Sequence, residues 1–189
     1  MMVCVADLAV RVRSAVQTDA AAIGDTHAAA WTAAYDHIFE ASFLARAADG
    51  RRVGWGQSLP GLLVAPSFVL VVECDGQVMG FAHAGPEPAN PGAAEIFGFY
   101  VHPAVWGSGV ADHLMTHTCS ALADDTTEVV VWTLRDAARA RRFYEKADFR
   151  TTGRTRDETL SDWTSGVSVE RPAVEYLRPL RDALRTRTR

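Results

Sequence analysis

Residues 106–111 read Trp106-Gly-Ser-Gly-Val-Ala111, between an apolar run that ends at Val101 and an amphipathic stretch that begins at Val110. Two glycines at the start of a helix let the backbone approach a ligand closely, and unpaired N–H groups and the helix dipole there favour an anion such as a phosphate. A nucleotide-binding P-loop is excluded, because Val110-Ala111 stands where Lys and Ser/Thr would follow the second glycine. A Rossmann fingerprint, with its nicotinamide chemistry, is disfavoured. Asp112 occupies the position of the third glycine, and five residues separate Val101 from Gly107. His113 and His117 lie four apart, but Leu114 replaces the glutamate of a zinc-protease helix, so no metal is expected. Cys119 has no obvious base beside it and reads as packing.

The elements that must position this loop follow from hydrophobic periodicity. Val10 and Val12 alternate with Arg11 and Arg13, the period of a half-buried strand. Thr18 and Asp19 offer N-cap chemistry to a helix carrying Ile23, His27, Ala30, Trp31, Ala34 and Tyr35, which Asp36-His37 should interrupt. Residues 40–59 look helical through Phe43, Leu44 and Ala47, although Gly50, Gly54 and Gly56 argue against one uninterrupted helix. Phe68 to Glu73 and Val78 to Ala82 flank Asp75-Gly76, a hairpin signal. A Pro/Gly/Asn loop from Gly85 to Gly92 precedes Glu95 to Val101, apolar enough to be a strand buried on both faces. A helix from Val110 (Leu114, Thr118, Ala121, Leu122), a strand at Thr127–Thr133, a helix at Asp136–Lys146 and strands near 149–156 and 167–177 complete a mixed α/β order.

Composition agrees with one globular domain. The 189 residues are 48% hydrophobic and 22% charged. The formal net charge of −4 disfavours nucleic acid. Arg178, Arg181, Arg185, Arg187 and Arg189 stand against Asp182 at the end of the chain, so the body is more acidic than the whole and favours cationic small molecules. No basic leader precedes an apolar core, and no apolar run is long enough to span a membrane. Cys4, Cys74 and Cys119 form no paired pattern, so a reducing, cytoplasmic setting is expected.

Two motifs together carry a resemblance. Tyr100-Val-His-Pro103 followed by Trp106-Gly-Ser-Gly-Val-Ala111 is similar to the strand, turn and Gln/Arg-x-x-Gly-x-Gly/Ala pattern with which GNAT-family N-acyltransferases cradle the pyrophosphate of coenzyme A. About 30 residues later, Ala137-Ala-Arg-Ala-Arg-Arg-Phe143-Tyr144-Glu145-Lys-Ala-Asp148-Phe149 resembles the family's Asn-x-x-Ala-x-x-Phe-Tyr-Glu-x-x-Gly-Phe. The resemblance extends over residues 9–180, with 1–8 as a lead-in and 181–189 as a basic tail. Trp106, Ala137 and Asp148 depart from the pattern, at positions where a polar residue, Asn and Gly are usual. Because main-chain N–H groups make most pyrophosphate contacts, such changes should weaken a site rather than abolish it.

The resemblance implies a GNAT-like mixed sheet of about seven strands flanked by four helices, with a splayed pair of central parallel strands. It implies acetyl-CoA as co-substrate and direct transfer of the acetyl group to a primary amine of a small molecule or peptide, without metal. A non-catalytic acyl-CoA-binding sensor of the same fold is the alternative. Glu95 matches the general base of part of the family, with Asp36 and His37 as alternatives, and Tyr144 matches the proton donor to the leaving sulfur. The N–H of Val101 would polarise the carbonyl. Tyr100, Val101, Trp106, Gly107, Ser108, Gly109, Val110, Ala111, Ala137, Ala140 and Phe143 are the expected cofactor contacts. Trp31, Tyr35, Phe39 and His37 are expected at the acceptor, the aromatic residues through their ring faces. Arg135, Arg139, Arg141 and Arg142 could meet the adenosine 3′-phosphate. A homodimer is also implied, with Trp55, Trp163 and Tyr176 available to an interface.

Overall fold

The computed structural model describes residues 9–88, 90–124 and 126–180. The expected lead-in at 1–8 and basic tail at 181–189 lie outside the described residues. Seven strands form one sheet in the order β1-β2-β3-β4-β5-β7-β6. They are β1 (Val10–Ser14), β2 (Phe68–Cys74), β3 (Gln77–Pro86), β4 (Ala93–Val101), β5 (Glu128–Leu134), β6 (Arg150–Ser161) and β7 (Ser168–Pro179). Neighbours pair antiparallel except β4 and β5, which are parallel. The four α-helices are α1 (Ala20–Tyr35), α2 (Ala41–Leu62), α3 (Val110–Leu122) and α4 (Ala138–Lys146).

Alternation along each strand divides the core between two sheet faces. On β2, Val69 and Val71 turn towards α1 and α2, where they meet Ile23, Trp55 and Leu59. Leu70 and Val72 turn the other way, towards Val110 and Leu114 of α3. Helix α4 joins α3 through Tyr144, which packs with Met115, Ile96 and Val131. The β2–β3 turn has Asp75 at φ 50° and Gly76 at φ 79°, the pair of positive values that an Asp-Gly hairpin requires. Asp19 does not cap α1 directly. Its carboxylate accepts from the Val16 N–H at 2.8 Å and from Arg13, closing a 3-10 turn at Gln17–Asp19.

Three elements differ from the sequence expectation for identifiable reasons. Residues 41–62 are one helix, and two of its glycines serve contact rather than interruption. A Cβ on Gly50 would collide with the carbonyl oxygen of Asp162, and one on Gly54 would lie 2.6 Å from the Trp163 ring, so only glycine lets α2 lie against the turn between β6 and β7. Strand β4 is buried on both faces only through Ile96; Phe97 is 41% exposed. Strands β6 and β7 extend further than expected because β6 is a polar, exposed edge strand, in which no apolar alternation marks the limits.

Candidate functional site

Strand β5 pairs with β4 only from Ala93↔Glu128 to Ile96↔Val131; beyond that point β5 follows β7 alone. The register of β4 with β3 also shifts there, with Phe97 as the extra residue between Ile96↔Ala84 and Gly98↔His83. The two central strands therefore splay, and the wedge opens into a cleft of about 650 Å³ between β4, β5, α3 and α4. The His102 N–H donates to the Met79 carbonyl at 2.8 Å on β3. Because successive residues of a strand present their N–H and C=O groups to opposite sides, the Val101 groups point into the wedge. The Trp106 indole N–H donates to that Val101 carbonyl at 2.7 Å, leaving the Val101 N–H beside it.

At the mouth of the wedge, Gly107 and Gly109 have φ of 78° and 94°, conformations that favour glycine. The first turn of α3 closes with the His113 N–H on the Gly109 carbonyl at 3.1 Å, so Val110, Ala111 and Asp112 begin the helix without intrahelical acceptors. Ser108 turns its hydroxyl back onto the Val105 carbonyl at 2.7 Å and stiffens the loop. Gly107, Ser108, Gly109 and Ala111 line the cleft, whereas the Val110 side chain is fully buried against β2 and β3. Val110 can thus serve an anion only through its backbone.

Helix α4 forms the opposite wall. Ala137, Ala140, Phe143 and Tyr144 all face the cleft. Phe143 stacks on Phe99 of β4 at 5.3 Å, and Tyr144 packs edgewise on Phe149. Burial holds the Tyr144 phenol well above its ordinary value, so it stays protonated and able to donate. The four arginines around this helix divide: Arg139 lies over the Trp106 ring at 4.2 Å, and it and Arg142 line the cleft. Arg141 instead turns away to the Tyr176 hydroxyl and the Arg135 carbonyl, and Arg135 does not line the cleft. Asp148 has φ 65° and ends α4 in a Schellman turn, with its own N–H on Glu145 and that of Phe149 on Tyr144, which explains why glycine suits this position. N–H groups at a helix start, two arginines and an apolar wedge fit a pyrophosphate followed by a long, largely uncharged chain.

On the far side of β4 lies a second cavity, of about 250 Å³, which meets the cleft at Phe97, Gly98 and Tyr100. Tyr35 and His37 line the cleft, and the His37 imidazole sits 3.3 Å from the Asp136 carbonyl, bridging the loop after α1 to the approach of α4. Trp31 lies apart from them in the smaller cavity. Its ring faces are already taken, one by the Arg51 guanidinium at 3.2 Å, while Phe39 stacks parallel at 5.9 Å. Trp31 and Phe39 are therefore core residues and do not offer free faces to a cation. Arg51 was not anticipated from the sequence. The available sign was an arginine on the buried stripe Ala47, Ala48, Trp55, Leu59 of α2.

Glu95 lies beside Val130 on the α1–α2 face of the sheet, outside the linings of both cavities. Burial raises its pKa, opposed by Arg156, whose guanidinium stands 4.0 Å away. Arg156 also covers the Trp132 ring at 4.3 Å. Next to it, the fully buried Glu175 carboxylate is held by Arg154 and by the Thr152 hydroxyl at 2.7 Å. Of the residues considered for an interface, Trp55 and Tyr176 are in the core, and Trp163 is 45% exposed.

The fold recurs among solved acetyltransferases. The PaiA N-acetyltransferase of Thermoplasma acidophilum, solved in complex with coenzyme A, superposes with a TM-score of 0.70 at 14% identity, over 88% of this chain and 98% of that one. YncA of Salmonella typhimurium, solved with its cofactor acetyl-CoA, gives 0.60 at 23% identity over 93% and 96%. The ribosomal-protein-S18-alanine N-acetyltransferase of Escherichia coli gives 0.64 at 16% identity over 90% and 94%. In sequence, a protein of Mycobacterium tuberculosis named a probable N-acetyltransferase is 26% identical over 170 residues, 88% of this chain and 92% of its own. Residues 22–149 match the model of the acetyltransferase (GNAT) family, a span that contains the splayed strands, the glycine loop and Tyr144, and the chain belongs to that family.

Proposed function

We propose that the protein transfers an acetyl group from acetyl-CoA to a primary amine by direct attack in a ternary complex. The observation that carries this reading is the continuous path from the start of α3, along the wedge between β4 and β5, to Tyr144 and the Val101 N–H. When bound, acetyl-CoA supplies an acetyl group activated as a thioester. The N–H groups of the Gly107–Ala111 loop receive the pyrophosphate, aided by Arg139 and Arg142. Phe99, Phe143 and Ala140 enclose the less polar part of the chain.

The remaining chemistry belongs to three groups of the protein. The Val101 N–H donates to the carbonyl oxygen as charge builds on it. The Glu95 carboxylate takes the ammonium proton of the acceptor through water, a task that its raised pKa suits. The Tyr144 hydroxyl gives its proton to the departing sulfur. The reading extends to a homodimer in the cytoplasm.

Calorimetric titration with acetyl-CoA, with NADH as control ligand, tests the cofactor; CoA release over a panel of primary amines tests transfer. Saturable acetyl-CoA binding with no NADH binding, and release that depends on an amine, are expected. Absence of acetyl-CoA binding would refute the proposal. Binding without release for any amine would leave a sensor of acyl-CoA in its place.

A further inference from the structure

Among the described residues, three buried side-chain nitrogens or oxygens lack a hydrogen-bond partner: His27 Nε2, Trp31 Nε1 and Arg51 Nε. All three residues line the same 250 Å³ cavity. His27, Trp31 and Arg51 are 5%, 1% and 3% exposed, so water around the molecule does not satisfy them freely. Buried polar groups left without a partner are rare enough that three around one cavity call for an occupant.

The sign of that occupant follows from the protons. The Trp55 indole N–H, which can only donate, points at His27 Nδ1 at 3.0 Å. Nδ1 therefore accepts, and the neutral ring carries its proton on Nε2. Trp31 Nε1 and Arg51 Nε are donors in every state. The three unpartnered groups are all donors, they belong to residues that line one cavity, and one of them carries a positive charge.

Arg51 adds shape. Its Nη1 is occupied by the carbonyls of Ala47 at 3.0 Å and Ser161 at 3.2 Å, while Nε and Nη2, the two nitrogens of one guanidinium edge, form no hydrogen bond among the described residues. That edge is the fork that receives both oxygens of a carboxylate. The phenols of Tyr100 and Tyr35 and the carboxylate of Asp162 all act on Arg51; Asp162 is the one carboxylate among them, and its oxygens are committed to the N–H groups of Thr164 and Ser165, the Ser165 hydroxyl and Arg46.

We propose that this cavity binds the carboxylate of the acceptor, which is therefore an amino acid or a similar amine bearing a carboxylate. The proposal rests on the acetyl-transfer reading for the word acceptor. The cavity meets the cofactor cleft at Gly98 and Tyr100, so a carboxylate held at Arg51 leaves the other end of a small molecule facing the wedge. Phe81, Trp55 and Leu160 supply apolar walls for what lies between. The acidic character of the whole chain does not decide this specificity; the buried cation beside the site does.

Trp31, Trp55 and Trp163 line the cavity and report its occupancy by their fluorescence. Wild-type protein saturated with acetyl-CoA is titrated with 3-phenylpropionate and with 3-phenylpropanamide, which differ only in the carboxylate. Saturable quenching by the acid, at least ~10-fold tighter than by the amide, is expected, with loss in both Arg51→Gln and Arg51→Lys while acetyl-CoA still binds. In the companion assay, amino acids should release CoA with kcat/KM at least ~100-fold above their amides and decarboxylated amines. Equal binding of acid and amide, or no response to either, would overturn the proposal on wild-type protein alone. Carboxylate binding without acetylation of any amine would uphold the cavity and refute acetyl transfer. Acetylation indifferent to the carboxylate would do the reverse.

Discussion

The contact between α2 and the β6–β7 turn can be tested with one substitution at two positions of the same helix. At Gly50 an added Cβ would overlap the Asp162 carbonyl and lie 2.9 Å from Trp163 Cβ; at Gly56, exposed to solvent, it meets nothing within 4 Å. Alanine is favoured over glycine within a helix by about 1 kcal/mol, so Gly56→Ala should stabilise by nearly that amount. Gly50→Ala gains the same propensity but forces backbone away from backbone, a kind of overpacking that costs about 1–3 kcal/mol. The two variants should differ by about 1–3 kcal/mol, or roughly 2–12 °C in melting temperature for a domain of this size, with Gly56→Ala above wild type. Moving Asp162 and Trp163 also moves the wall of the small cavity and leaves the glycine loop untouched. Gly50→Ala should therefore raise KM for the acceptor without changing acetyl-CoA affinity by calorimetry. Equal melting temperatures by scanning calorimetry, or a Gly50→Ala protein more stable than Gly56→Ala, would refute the close approach on which this reasoning depends.

The other predictions concern protons and one turn. Tyr144→Phe removes the proposed proton donor, whose hydroxyl makes no hydrogen bond among the described residues; kcat should fall about 10²-fold or more with little change in stability. Because burial raises the Glu95 pKa, kcat/KM should decline as pH falls through a value above the ordinary glutamate range, and Glu95→Gln should abolish that limb with cofactor binding intact. Burial, with Arg51 nearby, pushes His27 well below 6.5, so the native ring stays neutral where the unfolded one gains a proton. Stability should thus decrease as pH drops below about 6.5, by up to ~1.4 kcal/mol per pH unit from this residue, and urea unfolding of His27→Gln should lack that contribution. Asp148 holds a left-handed conformation, so Asp148→Gly should stabilise by about 0.5 kcal/mol and Asp148→Ala destabilise by about 1 kcal/mol in the same assay.

What could be read from the sequence was set by local chemistry. The glycine loop announces itself because Gly107 and Gly109 need positive φ next to a helix start, and the Asp75-Gly76 hairpin does so for the same reason. The Phe143-Tyr144 pair was legible because its family spacing coincides with the inward face of α4. Gly50 and Gly54 misled, since a glycine required by a neighbour 112 or 109 residues away looks the same as one that ends a helix. The extent of β6 was hidden because an edge strand exposes both its faces. Arg51 was hidden by its type: arginine belongs on surfaces, and only the packing of α2 against Trp31 shows that this one is enclosed.

One irregularity in the sheet accounts for both cavities. After Ile96 the strand β4 loses β5 as a partner, and at Phe97 it slips one residue against β3. The first change frees the Val101 N–H for a ligand on the α3–α4 side. The second places Gly98 and Tyr100 at the boundary of the α1–α2 side, where the tyrosine ring meets His27 at 4.3 Å. A continuous, regular β4 would separate the two faces completely, as sheets ordinarily do. The defect instead gives the two cavities a common edge at Phe97, Gly98 and Tyr100, where the proposed thioester on one face would meet the proposed amine on the other. Direct transfer requires such an edge, because its reacting atoms must approach within about 3–3.5 Å. The buried donors at Arg51, His27 and Trp31 would then act at a distance from the chemistry, holding the acceptor by the end that does not react so that its amine is presented at the gap.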